Sequence, residues 1–322
     1  MVERICIIFL AVFLITISAK GQETTYGPGY QTVLLNNPAF SGSEGDGTLR
    51  LSYLNFYPGN NFNLHSVYVS YDSYIPVLHG GAGFFLTDDY MGGIINDLRG
   101  GLSYSYHFQI NKNLFVNAGL TASCYYRGFS TGGIILPDQI DPLNGVSLPS
   151  GESISERGRA VFDIGTGILI MGEKVIAALS LNHLAAPDLS GTGSQTGRID
   201  RMLTLNLVGK IDINKNILII ARPLVTAEFQ GKKFNGGAGA SIESNSLSVS
   251  VVLLANNAKD IDLQTGCSLK KGKFLFYYNY RFNISSNNRM LPVSLLHQAG
   301  VAFSLNYVDK RNAIKTINFP KL

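Results

Sequence analysis

The chain has 322 residues, 45% of them hydrophobic and only 15% charged, with a formal net charge of +4. Soluble proteins carry about 25% charged residues, so the composition argues for a membrane, and the small positive excess is too weak for a nucleic-acid surface. Past the N-terminus no run reaches the roughly 18 apolar residues of a spanning helix. A chain that is apolar overall, with 35 Gly, 16 Tyr, 18 Phe and no Trp, has the composition of a transmembrane β-barrel.

In chain order, residues 1–21 have the pattern of a signal peptide. Arg4 is the positive n-region, Ile5 to Ile17 the apolar h-region, and Ala19 and Gly21 the small residues before cleavage at Gln22. Cys6 lies inside the h-region, which argues against a lipoprotein. The segment 22–47 is expected at the periplasmic mouth or inside a lumen, where Asn-Pro and Gly-rich chemistry lets backbone turn tightly against a wall.

From residue 48 the chain alternates, as strands with two unlike faces do. The clearest case sets Phe274, Phe276, Tyr278, Tyr280 and Phe282 against Lys273, Leu275, Tyr277, Asn279 and Arg281. About fourteen such segments of bilayer-spanning length follow one another: 48–57, 62–73, 80–87, 98–110, 113–127, 160–171, 174–184, 201–211, 217–229, 234–243, 246–255, 260–269, 273–283 and 296–308. The second is ambiguous in parity, because Val67 and Val69 oppose Phe62, Leu64 and Tyr68. Connections alternate between short ones and long ones, the longest being 128–159, 185–200 and 284–295. This pattern predicts an all-β, antiparallel transmembrane barrel (48–308) with short periplasmic turns, longer extracellular loops and both termini periplasmic. A basic tail, 309–322, follows. Cys124 and Cys267 fall on the apolar parity and are expected unpaired, facing lipid.

No enzyme emerges from the motifs. Gly128-Phe129-Ser130-Thr131-Gly132 matches G-x-S-x-G, but no helix follows to form the elbow that exposes a nucleophilic serine. The five histidines lack metal-ligand spacing and are expected in the lumen or in turns. Asp138, Asp141 and Asp163 lack the regularity of a calcium loop, and turn chemistry explains the Asp-Pro step better. Gly191-Thr192-Gly193 precedes no helix and is not a phosphate cradle. No cofactor or metal is expected.

Three blocks in order resemble the PorP/SprF family, outer-membrane components of the type IX secretion system of Bacteroidota. The first is Asn36 to Ser43 ("NNPAFSGS") followed by "LRLSYLNFYPG". The second runs from "GGAGFFLTDDYMGG" (Gly80 to Gly93) through Leu98 to Leu120. The third is "ILPDQIDP" (Ile135 to Pro142). The sequence departs from the family pattern at Phe56-Tyr57, where Gln-Trp often stands before Pro58, and in its extension beyond the last strand.

The resemblance implies a role in type IX protein secretion or gliding, either contacting the periplasmic ring or helping to export or anchor a large adhesin-like partner. It marks Asn37, Pro38, Ala39, Phe40, Gly42, Ser43, Pro58, Asp138, Gln139, Asp141 and Pro142 as motif or partner-contact candidates. The alternative reading is a transport barrel for a hydrophobic or small polar solute.

Overall fold

The structure, a computed structural model, describes residues 32–45, 47–58, 64–111, 113–129, 140–141, 145–146, 158–189, 197–214, 219–286 and 293–305. The expected signal peptide (1–21), the tail 309–322, the Ser130–Gly132 part of the hydrolase-like motif and Gly191–Gly193 lie outside them. Fourteen antiparallel strands form the wall: β1 (Thr48–Phe56), β2 (Leu64–Ile75), β3 (Gly80–Met91), β4 (Ile95–Asn111), β5 (Leu114–Phe129), β6 (Arg159–Met171), β7 (Val175–Asn182), β8 (Met202–Gly209, continued by Ile211–Asn214), β9 (Ile219–Gln230), β10 (Lys233–Glu243), β11 (Leu247–Asn256), β12 (Ile261–Lys271), β13 (Phe274–Ser285) and β14 (Ser294–Ser304). Each pairs with its sequence neighbours, and β1 pairs with β14 from Thr48↔Ser304 to Phe56↔Leu296, so the sheet closes on itself.

Closure is what a bilayer demands, because hydrocarbon offers no partner to a free N–H or C=O. No described helix is long and apolar enough to cross a membrane, so the strands make the crossing. Alternation then assigns the two faces. Leu102, Leu120, Ile168, Val225, Val251 and Phe276 are among the apolar side chains exposed on the outside. Ser52, Ser103, Asn117, Thr121, Gln264 and Asn279 are buried on the inside. Five aromatics of β13 lie outward as the alternation predicts, with Phe274 stacked near Phe276 and Tyr280 near Phe282. Cys124 and Cys267 are free, on the outward parity.

Every expected strand has its counterpart. The ambiguous β2 resolves with Val67 outward and Tyr68 fully buried inside. β3 extends to Met91, past the expected end at 87, because Asp89 is bonded to Ser66 Oγ and the paired strand β4 starts at Ile95. The expectation for histidines needs correction. His79 is in a turn and His107 and His183 are inside, but His65 stacks on Tyr90 and His297 bonds to Tyr278 on the outer face, where belt-like aromatics cover their rings.

The strands joined by the short connections 76–79, 112–113, 172–174, 215–218, 244–246 and 272–273 meet at one end of the barrel. The strands joined by the three longest, 130–158, 183–201 and 286–293, meet at the other. Strand β1 starts at the short-turn end, and the segment before it enters the lumen.

Candidate functional site

The segment is built by its own local chemistry. Val33–Asn36 makes one helical turn. It stops at Asn37 (φ −153°, ψ 114°), since the residue before a proline is driven to extended backbone. Pro38 then opens a 3₁₀ turn, Pro38–Phe40, at the position where its missing N–H costs nothing. Asn37 Oδ1 caps that turn by accepting from Ala39 N at 2.9 Å. Gly42, at φ +66°, reverses the chain toward β1.

The wall holds this segment through main-chain and side-chain bonds from six strands. Asn37 Nδ2 donates to the carbonyls of Leu179 (3.2 Å) and Ile168 (3.4 Å). Asn182 Nδ2 donates to the Asn36 carbonyl at 3.0 Å. The Ala39 carbonyl accepts from Ser105 Oγ (3.1 Å) and Asn117 Nδ2 (3.3 Å). Ser41 shares a 2.8 Å hydrogen bond with Ser103 Oγ, and its carbonyl meets His107 Nε2 at 3.0 Å. At the return to β1, Asp72 Oδ2 accepts from Gly42 N at 2.8 Å. The same carboxylate pairs with Arg50, whose other terminal nitrogen reaches Glu44 at 2.6 Å.

Space for the segment comes from inward-facing wall glycines. A Cβ on Gly119 would lie 2.3 Å from Ala39 N, one on Gly167 2.0 Å from Asn37 Oδ1, and one on Gly81 2.0 Å from the Ser41 carbonyl oxygen. Glycine inside a strand marks just such a close backbone approach. Val33, Leu34, Leu35 and Phe40 fill the remaining volume against Leu54, Tyr68, Phe85, Leu169, Val208 and Leu296. Each buried apolar side chain of this size contributes on the order of 2 kcal/mol. The segment and the wall pack here as one core, in which the buried Asn117 Oδ1 and Asn182 Oδ1 are left without a hydrogen-bond partner.

Of the sequence-selected residues, the structure brings together Asn37, Pro38, Ala39, Phe40, Gly42 and Ser43. Ser43 Oγ donates to the Phe40 carbonyl at 2.5 Å. Pro58 is elsewhere, following Tyr57 at the long-connection end. Asp141 sits in a two-residue ladder, Ile140–Asp141 with Gly145–Val146, separate from the wall. Asp138, Gln139 and Pro142 lie outside the described residues. Asp163 lies in the wall interior, its Oδ2 2.8 Å from His183 Nδ1. Among the described residues no acidic, His or Cys group has the makings of a metal site. Of the docking partners, His107 was expected in the lumen or in a turn, whereas Asp72, Ser103, Ser105, Asn117 and Asn182 were not singled out from sequence. Their signal was available as small polar residues on the inward parity of β2, β4, β5 and β7.

Replacing Asn37 removes an acceptor inside the segment and two donors to the wall at once. Asn37→Ala is therefore expected to cost about 2–4 kcal/mol, at roughly 1 kcal/mol per net hydrogen bond plus the cost of stranded buried groups. Thermal unfolding in detergent followed by far-UV circular dichroism measures it; an unchanged midpoint would mean the side chain does not tie the segment to the wall.

A closed wall with an apolar exterior and a lumen filled by the chain's own N-terminal segment defines a plugged outer-membrane β-barrel. The chain belongs to the PorP/SprF family: the model of the type IX secretion system membrane protein PorP/SprF matches residues 18–303. No curated protein matches the sequence. Among solved structures, a TodX deltaS2S3 mutant described as a monoaromatic hydrocarbon channel aligns with a TM-score of 0.53 at 12% identity, over 84% of this chain and 93% of that one. The Pseudomonas putida toluene transporter TodX aligns with a TM-score of 0.50 at 14% identity, over 89% and 96%. At such identities the likeness is one of fold. Family and fold are those of a membrane barrel of the secretion system and not of an enzyme class.

Proposed function

We propose that this barrel is a binding and anchoring component of type IX secretion, helping to export or hold at the surface a large adhesin-like partner. The observation that carries the reading is the occupied lumen. A solute pathway needs open space along the axis, whereas residues 33–42 stand there, bonded to the wall on several sides. What such a barrel offers a partner is its rims and its outer wall. On this reading residues 1–21 are removed during export and the short-turn end faces the periplasm, toward the secretion ring. Pro58, Asp138, Gln139, Asp141 and Pro142 are the partner-contact candidates on this reading, while Asn37 to Ser43 keep the plug seated.

Affinity purification of the tagged full chain from its native outer membrane tests this. A large secreted protein is expected to co-purify, and its surface display to fall when the barrel is deleted. Unchanged display in the deletion strain, with no protein retained on the tag, contradicts the proposal.

A further inference from the structure

The wall is not uniform around its circumference. β6 pairs with β5 along its whole length, from Phe115↔Met171 to Arg127↔Arg159. On its other side it pairs with β7 only from Met171↔Ile176 to Thr166↔Leu181. β7 ends early because the chain turns at His183, which has φ +59°. That corner is built, not loose: His183 is fully buried, with Nδ1 2.8 Å from Asp163 Oδ2 and 3.3 Å from the Tyr125 hydroxyl.

One more bond, from Leu184 N to the Ile164 carbonyl at 3.0 Å, extends the seam. The connection then leaves the wall. Leu189 and Ile199 bury against Tyr125 with Val161 packed beside them, and Leu189 N bonds to the Gly197 carbonyl while Ile199 N bonds to the Pro187 carbonyl. Both Tyr125 and Val161 are on the inward parity, so this hairpin folds into the mouth of the barrel and does not raise the wall. Among the described residues, no strand lies beside β6 from Arg159 to Asp163.

Strand parity says what faces the gap. The Ile164 carbonyl points toward β7, so the N–H and C=O groups of Phe162 and Ala160 point the same way. Beside them the outer surface is apolar: Phe162 is 80% exposed, with Ile164 and Tyr126 also exposed. A row of main-chain donors and acceptors at strand spacing, flanked by exposed apolar side chains, is an open sheet edge of the kind that templates a further strand.

We propose that this β6 edge is a docking site for an extended segment of a partner polypeptide, which adds as a strand above the end of β7. The inference rests on the secretion reading and specifies how the exported partner is gripped. A hydrocarbon or a lipid tail covers Phe162 but leaves the N–H and C=O groups of Ala160 and Phe162 unmet. A strand meets both requirements through main-chain bonds, with little demand on its sequence.

Photocrosslinking in the full chain, in its native outer membrane, tests the edge. p-Benzoylphenylalanine in place of Phe162 is expected to crosslink to a polypeptide, and in place of Val249, on the outward face of β11, to give at least tenfold less. Ala160→Pro removes an N–H directed at the gap and leaves the pairing with β5, so the barrel is expected to stay folded on a heat-modifiability gel while the crosslink from position 162 falls at least tenfold. The crosslink itself needs no edge variant, so it decides the matter even if Ala160→Pro does not assemble. Crosslinks from 162 only to lipid, or only within the chain to 130–157, overturn the edge site while a co-purifying partner leaves the secretion reading standing. Absence of any partner from both experiments overturns the two together.

Discussion

Asp72→Ala is expected to destabilise the protein by about 4 kcal/mol and to release the segment at residues 42–45. Asp72 and Arg50 are both buried inside the barrel, and the carboxylate serves two masters: Arg50 and the Gly42 N–H. Deleting one partner of a buried ion pair costs about 3–5 kcal/mol, since the remaining charge keeps its desolvation penalty and loses its compensation. Glu44 does not rescue it. It reaches Arg50 at 2.6 Å, but a third of its side chain is exposed, and pairs so open to water contribute about 1 kcal/mol or less. Glu44→Gln is therefore the matched control, expected to shift stability by under about 1 kcal/mol. Guanidinium unfolding in detergent, followed by far-UV circular dichroism, gives both numbers. Equal losses for the two variants would mean that Asp72 is not the anchor.

The second large effect is steric. Gly119→Val is expected to leave the barrel closed and eject the segment. A Cβ at Gly119 would sit 2.3 Å from Ala39 N, 2.4 Å from Pro38 C and 2.6 Å from Ala39 Cα. These are main-chain atoms, which have no rotamer to escape into. The wall itself gains, because a β-branched residue suits a strand. Overpacking of this kind costs on the order of 3 kcal/mol, which corresponds to about a hundredfold in the population of the released form. Limited proteolysis in detergent reads it as about a hundredfold faster cleavage between Phe40 and Gly47. Gly100→Val is the control: it faces outward on β4, and its Cβ would meet Leu86 Cδ1 at an ordinary 3.5 Å. Equal cleavage rates for the two valine variants would show that the segment is not seated against β5.

The wall was legible because alternation is a local signal repeated in every strand, and lipid allows only one of the two parities outside. Where legibility failed, the cause was also local. Asp88, Asp89 and Tyr90 have turn-like composition, yet β3 runs through them because Ser66 and the opposing strand satisfy Asp89. The parity of β2 could not be settled while Val67 and Tyr68 were compared as hydrophobes; Tyr68 is inside because it packs against the plug's apolar cluster. The seat of the plug was the least legible part. It is assembled from single residues on strands far apart in sequence: Asp72, Ser103, Asn117, Gly167 and Asn182 have no common spacing, and only the closed register lines them up. The end of β7 at Asn182 was equally hidden, because no Gly or Pro stands at Asn182-His183-Leu184 to mark a turn, and the buried Asp163–His183 pair is what turns the chain.

Single-channel recording in planar bilayers, comparing the wild-type protein with a variant lacking residues 32–45, measures the closed lumen directly. The wild type is expected to hold a flat baseline with no steady conductance, and the deletion to conduct. A steady ohmic pore in the wild type, unchanged by the deletion, would contradict the account.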